Sequence, residues 1–463
     1  MDQRRRPISG SSFLAIAVSH SWPTSLLAIL PQSNPAWALL HTPAVAPRLH
    51  LPEHRYRQFI IRVIEFLTAV PCCINTPQPA YRNPAVLVTG GLGFVGSHVC
   101  LELLRREHRV IIIDDLSNSY SEAVGGIFRA LGRDDDKNGG LRTVQLVDHI
   151  PVDYGNTKAV FSLLACYREK FEIMGVIHLA AFKSVAESVE YPEKCYENNV
   201  VKTVNFLRVL GGLGIANVVF ASSAAVYGGL QQNGSSGDPL IEDMVPIYDS
   251  FNTKGSHQKE ANGLSPYGIS KLVGESLVSR FTAENTNRRS IVFRLFNPVG
   301  CDPSGYLKET PRDEKWCGGN VMQMILKTIT GEKETFDLYG TDYFNEGSCD
   351  GTCVRDYVHV GDIAVAMVMG LEACFFHRTD SRQRCRVYNL ASGKGVSVKQ
   401  LIRSVEDHRG IVIRTRMRGR RKGDMAISIG SREKVTRELQ WAPRMSLADI
   451  CRDFCRCYGI ASR

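Results

Sequence analysis

A tyrosine and a lysine four positions apart, Tyr267 and Lys271, are the residue pair with the clearest chemical potential in this chain. On a helix these two side chains lie on the same face. A lysine ammonium beside a phenol favours the phenolate, which can remove the proton of an alcohol. Ser223, at the end of a predicted strand, is expected to hydrogen-bond the same alcohol. An isolated pair of this kind is common on protein surfaces, so its role depends on what lies beside it.

A glycine-rich turn follows the first apolar run of the chain. It contains Gly90, Gly93 and Gly96, and it lies between a β-branched segment and a helical pattern. Glycine lets the backbone approach a pyrophosphate closely, and the helix N-terminus adds free N–H groups and a positive dipole end. Alone, the glycines indicate only a tight turn, but between a strand and a helix they predict a dinucleotide site.

Asp114 ends the second predicted strand. A carboxylate at this position accepts hydrogen bonds from a ribose 2′-hydroxyl and repels a 2′-phosphate, which favours NAD over NADP. A bound nicotinamide ring would add a second positive charge beside Tyr267. Together with Lys271, that ring is expected to lower the pKa of Tyr267 to about 7, so that the phenolate acts as base while hydride leaves the same carbon.

The elements that must position these residues are short buried strands separated by helical patterns. Such alternation predicts an α/β fold, a Rossmann-type doubly wound parallel sheet. Beyond residue 297 the alternation weakens, which indicates a smaller C-terminal α/β domain for substrate. The expected division is an N-terminal extension over 1–82, a nucleotide-binding domain over 83–296 and a substrate-binding domain over 297–463. The strands are predicted at 85–89, 110–113, 176–181, 218–223 and 290–295, and the first helix at 94–106.

The composition excludes several classes of protein. The chain has 463 residues, 44% of them hydrophobic, and a net charge of +9, which excludes a wholly disordered chain and a polytopic membrane protein. Basic residues are not interleaved with aromatics, so no nucleic-acid partner is expected. The cysteines match neither a zinc site nor a disulfide framework, so we expect no metal and a cytoplasmic location.

The first 82 residues leave three interpretations open. Their two apolar runs, 13–18 and 26–30, are too short to span a bilayer. The favoured interpretation is a disordered extension, followed by a targeting segment and then by a membrane anchor.

Seven segments together resemble the extended short-chain dehydrogenase/reductase superfamily and, within it, the UDP-glucose 4-epimerases. They cover the chain from about residue 85 to its C-terminus. They are TGGLGFVGSH (89–98), HLAAFKSVAESVEYPEKCYENNV (178–200), SSAAVYG (222–228), SPYGISK (265–271), RLFNPVG (294–300), VRDYVHVGDIA (354–364) and YNLASGKG (388–395).

The resemblance implies three sets of site residues, a tightly bound NAD, a UDP-sugar substrate and a homodimer. The catalytic set is Ser223, Tyr267 and Lys271. The NAD set is Gly90, Gly93, Phe94, Val95, Gly96, Asp114, Asn118, Asp153, Ala180, Lys183, Asn198 and Phe296. The UDP-sugar set is Asn297, Asn320, Leu338, Tyr339, Arg355, Arg421, Asp424 and Ser428. Asp148 competes with Asp153 for the adenosine contact, and 228–263 is an insertion in the family pattern.

The implied reaction is the interconversion of UDP-galactose and UDP-glucose by inversion at C4. Ser428 is small where some family members carry a bulky Tyr, so UDP-N-acetylhexosamines are a further expected substrate. The alternatives are a sugar-nucleotide 4,6-dehydratase, a decarboxylase or reductase, and a non-catalytic NAD-binding protein. A dehydratase would need an Asp-Glu pair where this chain has Ala224 and Ala225, which cannot transfer protons.

Overall fold

The computed structural model describes residues 83–132, 146–228, 238–245, 264–310, 320–376, 383–421 and 424–460. The expected extension over 1–82 and most of the expected insertion over 228–263 lie outside the described residues. Within the described ranges, no helix combines the length and the apolar character that crossing a lipid bilayer requires.

Thirteen strands are formed by the described residues. They are β1 (Pro84–Thr89), β2 (Arg109–Asp114), β3 (Leu146–Pro151), β4 (Glu172–His178), β5 (Asn217–Ser223), β6 (Arg289–Leu295), β7 (Asn297–Val299), β8 (Phe336–Tyr339), β9 (Val354–His359), β10 (Cys385–Leu390), β11 (Gly395–Ser397), β12 (Thr415–Arg418) and β13 (Ile427–Ser428).

Twelve α-helices are formed by the same residues. They are α1 (Phe94–Arg105), α2 (Ala123–Ala130), α3 (Thr157–Arg168), α4 (Val185–Glu190), α5 (Pro192–Tyr196), α6 (Lys202–Gly212), α7 (Pro266–Ala283), α8 (Val321–Ile329), α9 (Val360–Phe376), α10 (Val398–Arg409), α11 (Glu433–Leu439) and α12 (Leu447–Cys457). A π-helical turn, Glu197–Val201, joins α5 to α6.

Seven strands form one parallel sheet in the order β10-β6-β5-β4-β1-β2-β3. Its strands are apolar on both faces. In β1, for example, alternate residues face opposite sides of the sheet, and both sides are apolar. Val86 and Val88 pack with α1, α2 and α9, whereas Ala85 and Leu87 pack with α3, α6 and α7. The predicted Rossmann-type doubly wound sheet is confirmed. Its strand order reverses between β1 and β4, and ligands bind at such a switch point.

The predicted strand over 176–181 is too long at its C-terminal end. β4 ends at His178, and the backbone N–H groups of Leu179 and Ala180 both donate to the carbonyl oxygen of Thr89, at 3.1 Å each. These bonds turn the chain out of the sheet at the switch point. Residues 179–181 therefore line the space beyond the sheet instead of extending it.

The remaining strands belong to two small sheets. β9 lies between β11 and β13 and also pairs with β7, while β8 pairs with β12. A separate apolar core joins β8, β9 and helices α8, α10 and α12.

The domain boundary expected between residues 296 and 297 stays a prediction. The large sheet nevertheless takes its last strand, β10, from beyond that boundary, and α9 packs against its face.

Candidate active site

A cavity of about 610 Å³ lies at the carboxyl ends of β1 and β4, where the strand order reverses. Most of the residues expected to bind NAD line it, together with all three expected catalytic residues and one expected to bind the UDP-sugar. These lining residues are Gly90, Gly93, Phe94, Val95, Gly96, Asp114, Asn118, Ala180, Lys183, Asn198, Ser223, Tyr267, Lys271 and Asn320.

The glycine turn lines the cavity. Gly93 is the N-cap of α1, and no side chain caps that helix, so its first N–H groups remain available to an anion. A Cβ on Gly96 would lie 2.0 Å from the carbonyl oxygen of Gly90, and Gly90 itself has a φ of +67°. Only glycine fits this turn, and the result is a cradle that fits a pyrophosphate.

Asp114 lies beside this cradle with its carboxylate fixed by the protein. Oδ2 accepts from the Leu92 N–H at 3.0 Å, and Oδ1 accepts from the Leu116 N–H at 3.0 Å and the Ser119 hydroxyl at 2.7 Å. Nearby, Asn118 Oδ1 is buried and has no hydrogen-bond partner among the described residues. An acid and an unpaired amide oxygen on the cavity wall fit the hydroxyl groups of a dinucleotide ribose.

The same cavity is lined by Tyr267 and Lys271, both in the first half of α7. Ser265 caps this helix by accepting from the Gly268 N–H at 3.1 Å, and Pro266 occupies its first turn. Lys271 Nζ donates to the Ala221 carbonyl oxygen at 2.7 Å and lies 5.9 Å from the centroid of the Tyr267 ring. The pair shares a helix face and lines the cavity, as its spacing predicts.

Without the nicotinamide ring, the protein's own groups do not lower the pKa of Tyr267. Burial against Phe182 and Cys195 raises the pKa of Tyr267 to about 12, although a hydrogen bond with Ser223 acts in the opposite direction. Burial also lowers the pKa of the Lys271 ammonium to about 8. The phenolate therefore needs a further positive charge, which a bound nicotinamide ring can supply.

A buried ion pair connects α7, the helix that carries Tyr267 and Lys271, to strand β6. Arg294 on β6 and Glu275 on α7 are both fully buried and form two hydrogen bonds, at 3.0 Å and 2.8 Å. Arg294 also donates to the hydroxyl of Tyr227 at 3.1 Å and to the carbonyl oxygen of Glu242 at 3.0 Å. The Ser222 hydroxyl, adjacent to Ser223, donates to Glu275. The network therefore connects α7, the helix of Tyr267 and Lys271, to β5 and β6.

Five of the expected UDP-sugar residues form a second cluster that does not line the cavity: Leu338, Tyr339, Arg355, Arg421 and Asp424. Asp424 accepts from Arg355 at 3.0 Å and from Arg421 at 3.3 Å. The guanidinium carbon of Arg421 lies 4.5 Å from the ring centroid of Tyr339, next to the buried Leu338 on β8. Two guanidinium groups held by one carboxylate offer remaining donors to a diphosphate.

Four other expected residues also lie away from the cavity lining. Phe296 and Ser428 are buried, and Asn297 donates to the carbonyl oxygen of Asp356 at 2.9 Å. Asp153 forms an ion pair with Lys202 at 2.8 Å. Its competitor Asp148 accepts from the Tyr167 hydroxyl at 2.7 Å, so the choice between the two acids stays open.

Several residues that line the cavity were missed by the sequence reasoning. They are Arg129, Tyr154, Tyr306 and Glu309. Tyr306 and Glu309 lie in an irregular segment after β7, where no periodic pattern shows which side chains face the cavity. Arg129 lies on α2, and the position of its guanidinium beside the Tyr306 ring, 5.4 Å from the centroid, depends on contacts remote in sequence.

Comparisons with known proteins agree with this geometry. Residues 86–391 match the model of the NAD dependent epimerase/dehydratase family. The chain is 35% identical over 370 residues to UDP-glucose 4-epimerase 1 of Oryza sativa subsp. japonica, covering 80% of this chain and 92% of that protein. It is 32% identical over 369 residues to UDP-glucose 4-epimerase of Bacillus subtilis (strain 168), covering 80% of this chain and 95% of that protein.

Solved structures of similar proteins share the fold. The crystal structure of UDP-glucose-4-epimerase from Stenotrophomonas maltophila, with bound NAD and formylated UDP-arabinopyranose, matches with a TM-score of 0.67 and 32% identity, over 81% of this chain and 98% of that one. The crystal structure of UDP-glucose 4-epimerase from Bifidobacterium longum in complex with NAD+ and UDP matches with a TM-score of 0.66 and 30% identity, over 81% of this chain and 98% of that one. On its sequence and its fold, this chain belongs to the NAD dependent epimerase/dehydratase family.

Proposed function

We propose that this protein interconverts UDP-galactose and UDP-glucose by inverting C4 of the sugar, with NAD as a tightly bound cofactor. The observation that carries the proposal is one cavity lined both by the pyrophosphate cradle and by Ser223, Tyr267 and Lys271. Such a cavity places the reactive end of a dinucleotide beside a proton-transfer group. The relatives named as UDP-glucose 4-epimerases support the choice of substrate.

NAD, when bound, supplies the acceptor and donor of hydride at C4 and the positive charge that favours the Tyr267 phenolate. Tyr267 then takes the proton of the 4-hydroxyl group through its phenol oxygen and later returns it. Ser223 hydrogen-bonds the same sugar oxygen. Lys271, fixed on Ala221, holds its ammonium near the phenol ring.

The UDP group is held by the second cluster in this proposal. Arg355 and Arg421 bind the diphosphate, while Asp424 keeps both guanidinium groups oriented. Binding energy from these non-reacting groups retains the 4-keto sugar while it turns its other face to the cofactor. The resemblance to the family also leads us to propose a homodimer, and the cytoplasmic location stays a prediction.

The direct test is incubation of the purified protein with UDP-galactose, without added cofactor, followed by chromatographic separation of the products. We expect UDP-glucose. A 4-keto-6-deoxy sugar nucleotide would favour the dehydratase alternative, and NAD-loaded protein without any product would favour a non-catalytic NAD-binding protein.

Ser428 leads to a prediction on substrate range. Its side chain is buried on β13, in register with Arg355 on β9. We expect the wild-type protein to accept UDP-N-acetylglucosamine. The Ser428→Tyr variant should lose about tenfold or more of its relative kcat/KM for the N-acetylated sugar, because the resemblance to the family implies that a bulky side chain at this position excludes the acetamide. Ser428→Ala, which keeps the position small, is the matched control. Equal substrate ratios in all three proteins would reject this role.

A further inference from the structure

We propose that Glu309 is a positioning residue that couples the dinucleotide and sugar-nucleotide subsites; this inference rests on the proposed function. Its side chain is only 10% exposed, and the residue lines the cavity between Lys183, which is expected to contact NAD, and Asn320, which is expected to contact the UDP-sugar. No motif in the sequence points to it.

The carboxylate contacts both residues at once. Oε1 accepts from Lys183 Nζ at 2.6 Å, and Oε2 accepts from Asn320 Nδ2. Hydrogen bonds to an ionised group are stronger and more directional than those between neutral groups. One buried acid therefore fixes the two side chains relative to each other.

The backbone of Glu309 is itself fixed. Its carbonyl oxygen accepts from the Tyr458 hydroxyl at 2.6 Å and from Gln323 Nε2 at 3.3 Å. Gln323 lies on α8, and Tyr458 directly follows α12. The bridging carboxylate therefore extends from a fixed point on the small apolar core, although its segment has no regular structure.

Asn320 cannot turn its amide to suit another partner. Its Oδ1 accepts from the Met322 N–H at 3.0 Å and caps α8, which directs Nδ2 to Glu309. Lys183, by contrast, has a side chain that is 45% exposed and can be ordered by a ligand. When NAD orders Lys183, Glu309 is held in the position that keeps Asn320 ready for the sugar nucleotide. This contact predicts that the two ligands bind with positive coupling.

The test is a calorimetric titration of UDP into NAD-loaded and NAD-free protein. For the wild type we expect UDP to bind at least about fivefold more tightly to the NAD-loaded form. In Glu309→Gln the two affinities should agree within about twofold. Glutamine has only one acceptor oxygen, so its NH2 group would face either Asn320 Nδ2 or Lys183 Nζ, and two donors would then meet. Glu332→Gln is the matched control, since the Glu332 side chain is 55% exposed and lies 3.9 Å from Lys327, and it should keep the wild-type ratio.

A second variant breaks the same bridge from its exposed end. Lys183→Met should also lose the coupling, and the double variant Lys183→Met/Glu309→Gln should lose no more than either single variant. A Glu309→Gln protein that keeps the wild-type ratio would overturn the coupling role alone, as would a wild type whose UDP affinity does not depend on NAD. Wild-type protein that binds neither ligand would overturn the proposed function together with this inference.

Discussion

The Tyr267→Phe variant is expected to lose turnover by a factor on the order of 10² to 10⁴ and to keep its NAD. The substitution removes only the hydroxyl that transfers the proton. The ring that packs against Phe182 and Cys195 remains, as does the pyrophosphate cradle formed by the glycine turn. The measurement is kcat with UDP-galactose, with the NAD content of each preparation determined after denaturation.

A matched control tests whether the loss of turnover is specific to the hydroxyl at position 267. Tyr191→Phe removes a phenol hydroxyl from a side chain that is 40% exposed and does not line the cavity, so its turnover should equal that of the wild type. Near-normal turnover of Tyr267→Phe would refute the role given to its phenol. Loss of NAD from the variant would instead mean that the hydroxyl contributes to cofactor binding.

The Arg294→Met variant is expected to lose about 3–5 kcal/mol of unfolding free energy, because it leaves the buried carboxylate of Glu275 without its partner. The substitution also removes donors from the hydroxyl of Tyr227 and the carbonyl oxygen of Glu242. Urea unfolding, followed by circular dichroism, measures the change.

The double variant Arg294→Met/Glu275→Leu should recover part of this loss, because it removes both charges from the interior. Arg437→Met, which breaks the exposed contact with Glu438, should leave the unfolding free energy almost unchanged. If Arg294→Met were as stable as the wild type, the network that connects α7 to β5 and β6 would have no structural role.

The parts of the fold predicted from sequence are those in which the local hydrophobic pattern matches the burial of the element in the structure. The apolar runs that became β1, β2, β5 and β6 are buried on both faces, so local composition alone identifies them. β3 was missed because it lies at the sheet edge and carries the exposed pair Asp148 and His149. The place of β10 beside β6 was missed as well, because strand order depends on packing between distant segments.

For the candidate site too, the sequence predicts the features that depend on local geometry and not those that depend on contacts between distant segments. The glycine turn and the Tyr267–Lys271 pair follow from local geometry, and the structure brings them to one cavity. The raised pKa of Tyr267 could not be predicted, because it depends on burial by residues remote in sequence. Glu309 was missed for a similar reason, since its two partners come from separate segments of the chain.

The central claim is that hydrogen leaves C4 and returns to it within one site. Its most direct test is incubation of the purified protein with UDP-galactose carrying deuterium at C4, without added NAD, followed by mass spectrometry of the products. The proposed mechanism predicts UDP-glucose that retains the deuterium at C4. Absence of UDP-glucose, or UDP-glucose whose C4 deuterium has been replaced by hydrogen from water, would contradict it.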